Sequence, residues 1–260
     1  MGEHIRYETS DGIATVTIDR PEKRGAMTYA VLNDFIETLE RAGDDPEARV
    51  VILTGTPGSF CAGTDLSDLA SVPGEERGRR GPARERRPSW PIVACPKPVL
   101  CAVDGPAVGM GAEFTSQCDV RIATPRARFA WNFGHRGLVP DTGAGTWLLP
   151  RLIGPAAALR LLYSGDFLGA EEAKALGYVA EIVDSERLGE AARAEAERYL
   201  AVSPLSARLT KRLLYDGLER SIEEHMKAHV DALQTCFRSE DHREGVAAFL
   251  ERRPARFTGR

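Results

Sequence analysis

An α/β fold is predicted by three observations on the sequence. Short β-branched runs alternate with helical patterns through the first half of the chain. The last third carries helical patterns only. The chain has 260 residues, 43% hydrophobic and 28% charged, an ordinary globular composition with enough length for a sizeable core. The elements follow one by one. Ile13–Ile18 (IATVTI) and Val50–Thr54 (VVILT) are bounded by Gly, Pro or charge, as strands are. Between them a helix starts near Thr28, a good capping type, and Leu32, Phe35, Ile36 and Leu39 recur at the spacing of one helix face. Val99–Val103 (VLCAV) predicts a further strand, closed by Asp104-Gly105-Pro106. Val120–Ala123 and Ala127–Ala130 read as two short strands around Thr124-Pro125. Glu186–Leu200, Pro204–Arg220, Ile222–Phe237 and Glu240–Glu251 read as helices. Ile222, Met226, Val230, Leu233 and Phe237 form one apolar stripe, which suits either a second layer on the core or a subunit contact. Gly74 to Pro88 holds six Arg, three Glu and no large apolar residue, and reads as a mobile surface loop.

Charge and composition exclude several classes. Lys plus Arg is 34 and Asp plus Glu is 38, a net charge of -4, which works against nucleic-acid binding. No stretch approaches the roughly 18 apolar residues of a membrane span. The polar start, Met1 to Arg6, lacks the apolar segment of a signal peptide. Cys61, Cys95, Cys101, Cys118 and Cys236 are scattered, without a Cys-x-x-Cys, and read as free thiols in a reducing cytoplasm. No Gly-x-Gly-x-x-Gly, P-loop or Gly-x-Ser-x-Gly is present. His225 and His229 sit four apart on a helix, but no third ligand is in view, so no metal site is assigned.

Two Gly-rich loops follow strands: Gly55 to Leu66 and Asp104 to Phe114. Each is able to present backbone N–H groups at a helix start, and two donors converging on one oxygen make an oxyanion hole. The plainer reading is a pair of tight α/β connections. Glu113 falls in the first turn after the second loop, where a carboxylate also simply complements the helix dipole. Asp141, in Val139-Pro140-Asp141-Thr142-Gly143, also reads as an N-cap. A catalytic role needs both carboxylates on one pocket, which spacing alone does not show.

Five ordered motifs carry a family resemblance that spans nearly the whole chain. They are Val16 to Met27, Phe60-Cys61-Ala62-Gly63-Thr64-Asp65-Leu66, Pro98 to Glu113 with Cys118-Asp119-Val120, Gly137 to Gly154, and Glu244 to Arg260. Together they resemble the crotonase superfamily, the enoyl-CoA hydratase/isomerase group. The resemblance implies a crotonase-type spiral of ββα repeats, residues 1–200, with a C-terminal helical region, residues 201–260, used for oligomerisation as a homotrimer or dimer of trimers. It implies an acyl-CoA thioester substrate, with CoA as part of the substrate and no metal or separate cofactor. It also implies backbone donors at Thr64 and Met110, and CoA or substrate contacts at Lys23, Arg24, Ala26, Ala62, Asp65, Leu66 and Phe133.

Two departures bear on the reaction. Gly25 stands where the family usually has Asn. Typical hydratases carry two Glu; Glu113 matches the first, but Phe133 occupies the position of the second and cannot move protons. Asp141 instead aligns with the carboxylate of relatives that shift double bonds or displace a ring halide, and Gly137 to Gly154 resembles the ring-epoxide and enoyl isomerases. The expected function is therefore double-bond isomerisation or hydration, with Glu113 and Asp141 as acid and base, isomerisation being slightly favoured. Hydrolysis, carbon–carbon cleavage, decarboxylation or dehalogenation of a CoA thioester is the alternative, which His135 would support as a water activator. A non-catalytic RNA-binding relative is disfavoured by the charge and by the retained loop motifs.

Overall fold

The computed structural model describes residues 3–71 and 90–260; the Gly74–Pro88 expectation lies outside them. The strands are β1 (Ile5–Ser10), β2 (Ile13–Ile18), β3 (Val50–Gly55), β4 (Val99–Val103), β5 (Pro106–Val108), β6 (Val120–Ala123), β7 (Arg128–Ala130), β8 (Leu168–Gly169) and β9 (Glu181–Ile182). They build a larger sheet of order β1-β2-β3-β4-β6-β9 and a smaller one of order β5-β7-β8. Among the described strand pairs, only the outer β1/β2 and β7/β8 are antiparallel. Residues Val99–Val103 are all buried, which explains why the inner strand reads as a continuous apolar run.

β1, β2 and β3 all join the larger sheet, and from β4 onward successive strands (β4/β5, β6/β7, β8/β9) divide between the two sheets. The helices begin with α1 (Tyr29–Asp44), α2 (Leu66–Ser71), α3 (Pro91–Ala94) and α4 (Met110–Gln117). Thr28 caps α1 by accepting from the Val31 N–H at 3.2 Å, as its residue type predicts. Phe35, Ile36 and Leu39 are buried from α1, while Leu32 is only partly covered. There follow α5 (Ala144–Trp147), α6 (Leu149–Ile153), α7 (Pro155–Ser164) and α8 (Ala170–Ala175). The tail consists of α9 (Leu188–Leu200), α10 (Pro204–Gly217), α11 (Ile222–Arg238) and α12 (Glu240–Glu251). Leu188, Ala192 and Ala196 of α9 pack on the larger sheet against Ile13, Leu100 and Ile122.

The apolar stripe of α11 does not form a second layer on that core. It faces solvent in the single chain, Ile222 at 73% and Phe237 at 57% exposure. Other differences are small. The helix expected to run to Arg220 ends at Gly217, the strand expected from Ala127 starts at Arg128, and a 3-10 turn at Ser185–Arg187 precedes α9.

Two buried charges fix the segments that carry the site. Asp104 accepts from Gly58 N–H at 2.7 Å, from Thr124 at 2.7 Å and from Arg126 at 2.6 Å, tying the first glycine loop to the end of β4 and to the β6–β7 turn. Arg121 donates to the carbonyls of Thr115, Cys118 and Tyr178, capping the end of α4. Such bonds from a buried cation contribute about 1.5–3 kcal/mol each.

Candidate active site

The two glycine loops are laced together along their backbones. Cys61 pairs with Ala107, and Val108 donates to the Cys61 carbonyl at 2.9 Å. A Cβ on Gly111 would stand 2.2 Å from that carbonyl oxygen, and one on Gly63, at φ +91, would stand 2.7 Å from the Val108 oxygen and 3.6 Å from the Met110 nitrogen. Only glycine permits this approach. The result packs Gly63, the residue before Thr64, against the backbone of Val108 and of Met110, the first residue of α4. Among the described residues neither the Thr64 nor the Met110 N–H donates to a backbone carbonyl.

The Arg20–Met27 segment holds the first loop from outside. Ala62 donates to Arg24 O at 3.0 Å, Met27 to Gly63 O at 2.8 Å, and Asp65 to Met27 O at 2.7 Å. Gly25 fits this lacing: at φ +71 it is buried, and a Cβ there would come within 2.8 Å of Phe60 O. Lys23 and Arg24 are exposed, on and just after a 3-10 turn, and Ala26 is half-buried with its carbonyl accepting from Arg20. The Asp65 side chain turns inward. Ser67 at 2.5 Å and Arg20 at 2.9 Å engage the carboxylate and hold it down at about 2. Leu66 is half exposed at the start of α2. Phe133 is buried in a 3-10 turn, its ring 3.7 Å from where a Cβ on Gly109 would be, and so lies against the second loop.

Glu113 is fully buried on α4. Dipole complementation does not require that, and no cation pairs with it among the described salt bridges. Burial pushes its carboxyl up to about 7; a hydrogen bond from Thr142 at 2.5 Å opposes the rise and the Asp141 charge adds to it. The Ala144 and Gly145 N–H groups also oppose the rise, yet neither makes a well-formed hydrogen bond to Oε1, which has no partner among the described residues. Asp141 is not the N-cap of α5; Gly143 is. Asp141 is open to solvent but crowded by protein, which pushes its carboxyl up to about 6. Being wet, it is the more easily ionised of the pair. Its charge is felt by Glu113 on α4 and by the Cys61 thiol on the first loop. Asp141 therefore lies near both Glu113 and the first loop.

Three other candidates lie elsewhere. The His135 ring packs over Gly165 at the end of α7. The His225 and His229 rings stack 6.5 Å apart, and no group of three potential metal ligands occurs among the described residues. At the basic C-terminus, Arg253 is engaged by Glu244 at 2.6 Å. Sequence reasoning missed Thr142 and Gly145. Their only signal was nearness to Asp141, because the Thr142 contact with Glu113 spans 29 residues.

A family model described as enoyl-CoA hydratase/isomerase matches residues 8–260. The chain belongs to the enoyl-CoA hydratase/isomerase family. It is 39% identical, over 98% of each chain, to a probable enoyl-CoA hydratase of Rhodobacter capsulatus. It is 36% identical, over the full length of both, to a 1,2-epoxyphenylacetyl-CoA isomerase of Escherichia coli. An enoyl-CoA hydratase crystal structure from Bacillus anthracis superposes with a TM-score of 0.90 at 28% identity, covering 99% of this chain and 100% of that one. The fold is thus the crotonase fold, and the protein is an acyl-CoA-processing enzyme of the hydratase/isomerase type. No described helix is long and apolar enough to cross a membrane.

Proposed function

We propose that this enzyme moves a double bond in an enoyl-CoA thioester by proton transfer between Asp141 and Glu113. The observation that carries this reading is the nearness of these two carboxylates, Asp141 preceding the Thr142 that bonds Glu113, and the family resemblance puts Phe133 where a second Glu would serve hydration. The thioester oxygen sits between the Thr64 and Met110 N–H groups. Those donors stabilise the negative charge that forms on it when the α-proton leaves. Asp141, ionised, removes that proton, and Glu113, neutral, delivers one at the far end of the dienolate. Only protons move, so no metal or separate cofactor takes part. Lys23 and Arg24 meet the CoA phosphates, Ala26, Ala62 and Leu66 border the bound thioester, and Asp65 holds its loop.

Hydration is the second reading, favoured by similarity to relatives named as hydratases. There Asp141 would deprotonate water for attack on C3, and Glu113 would protonate C2. A panel of 2-enoyl-, 3-enoyl- and ring-1,2-epoxy-CoA thioesters, followed for bond movement and hydration, separates these readings. Double-bond movement should exceed hydration. Inactivity toward the whole panel across chain lengths sinks both. The active form needs Asp141 ionised and Glu113 protonated. Hence kcat/KM should rise through about 6 and fall through about 7, the two inflections belonging to the coupled pair.

The exposed α11 stripe, with Phe249 of α12 at 83% exposure, supports self-association into a homotrimer or a dimer of trimers. Sedimentation equilibrium should give three or six times 28.3 kDa, and a monomer at micromolar concentration rejects it. A cytoplasmic location fits the free thiols of all five cysteines.

A further inference from the structure

We propose that Thr142 determines which oxygen of Glu113 carries the transferable proton, and is a positioning residue for the acid–base step. The inference rests on the reading of Glu113 as proton carrier. A threonine hydroxyl has one proton to donate and two lone pairs to accept with. Here the oxygen accepts from the Ala144 N–H at 3.3 Å and donates its proton to Glu113 Oε2 at 2.5 Å. Among the described residues that proton has no other acceptor. Protonating Oε2 would cost the hydroxyl its bond to that oxygen, and no other acceptor for its proton is present among the described residues. Oε2 is therefore reserved as an acceptor in both ionisation states.

Oε1 is the opposite case. It is buried and unpartnered, and it occupies the space a side chain on Gly145 would fill, 2.4 Å from that Cβ position. The proton of neutral Glu113 sits on Oε1, where no existing hydrogen bond has to be broken to place it, and leaves from it. Gly145 lies in helical backbone, where alanine is the better helix former. Its glycine leaves Oε1 room. The carbonyl of Thr142 accepts from Trp90 Nε1 at 2.8 Å, which anchors the residue. Because Asp141 and Thr142 are consecutive, one anchored dipeptide carries the base and orients the acid.

The proton count closes. Asp141 takes H⁺ from the α-carbon, and the C–H electron pair becomes the enolate. The Oε1–H bond of Glu113 breaks, its proton joins the acceptor carbon, and its electron pair stays on Oε1. The proton on Asp141 then passes through solvent to Oε1, restoring both groups.

The test uses the full-length protein with Thr142→Val, which keeps shape and loses the hydroxyl, and Thr142→Ser, which keeps it. kcat and KM on the preferred thioester of the panel are measured from pH 5 to 9. The Glu113 carboxyl stretch, identified by its loss in Glu113→Gln, is followed by infrared spectroscopy over the same range. The Thr142 bond favours the ionised form, so Thr142→Val should move the Glu113 titration up by about one pH unit. It should lower kcat by about 10- to 100-fold with KM changed less than about twofold. Thr142→Ser should restore both. An unmoved titration in Thr142→Val, or a Ser variant as impaired as Val, overturns the proposal. If the wild type turns over no thioester, the functional reading fails while the infrared titration still decides the role of Thr142. If Thr142→Val does not fold, Gly145→Ala replaces it: displacement of Oε1 should lower kcat about tenfold or more with the hydroxyl intact, and full activity overturns the proposal.

Discussion

Glu113→Gln should lower kcat by about 10²- to 10⁴-fold, with little change in KM. Gln keeps the size of the side chain and its contact with Thr142 but cannot hand over or receive the proton. The same substitution should act on stability in the opposite direction, and only at higher pH. The ordinary Glu value is 4.5, and in the folded protein burial pushes Glu113 up to about 7. Between those values the folded state binds the proton more tightly than the unfolded chain. Stability contributed by the neutral carboxyl is fully present below about 4.5 and is lost as pH rises to about 7. At pH 8 the wild type carries a buried ionised carboxylate and the variant does not. Glu113→Gln should therefore be more stable at pH 8, by up to roughly 3 kcal/mol. The gain should vanish near pH 4. Urea unfolding of both proteins at the two pH values checks this. A variant that loses activity and is equally destabilised at both would place Glu113 in packing rather than in proton transfer.

Gly111→Ala should be the most damaging single methyl in the site. Alanine in a helix interior gains about 1 kcal/mol over glycine. Here its Cβ would sit 2.2 Å from the Cys61 carbonyl oxygen and 2.8 Å from the Cys61 Cβ. The first of these contacts is backbone, so no side chain can swing away, and α4 must move from the first loop. That separates the Met110 N–H from the Thr64 N–H. Loss of one such donor costs about 10²- to 10³-fold in kcat, and the strain costs about 1–3 kcal/mol in stability. Gly189→Ala is the control, because a Cβ there meets nothing within 4 Å. Equal kcat in Gly111→Ala and wild type would remove the converging-donor geometry from the mechanism.

Much of this was legible in local sequence. Val99–Val103 reads as a buried strand because all of its residues are apolar, and it is one. Thr28 reads as a cap because its side chain serves a backbone group three residues on, and it does so. Among the strands that escaped notice, β1 has six residues, and three others are of a different kind. β5, β8 and β9 have two or three residues each, too few for a period, and exist because a neighbouring strand is already in place. The ambiguity over the α11 stripe had the same origin: an apolar helix face states that something covers it, not whether the same chain does.

At the site, the motifs named the loops and the two carboxylates, and the order of the motifs named the family. Sequence by itself determined which groups are present: glycines where backbones must nearly touch, one carboxylate on α4, one after Pro140, and an aromatic ring at Phe133. Only the tertiary structure decided their states. It set Glu113 behind Thr142 and beside Gly145, drew Asp65 away to Arg20 and Ser67, and left Asp141 at the water's edge. The reason is physical. A residue's type fixes which proton it is able to move, but burial and the partners brought from distant parts of the chain fix when it moves it, and neither is a property of neighbours in sequence.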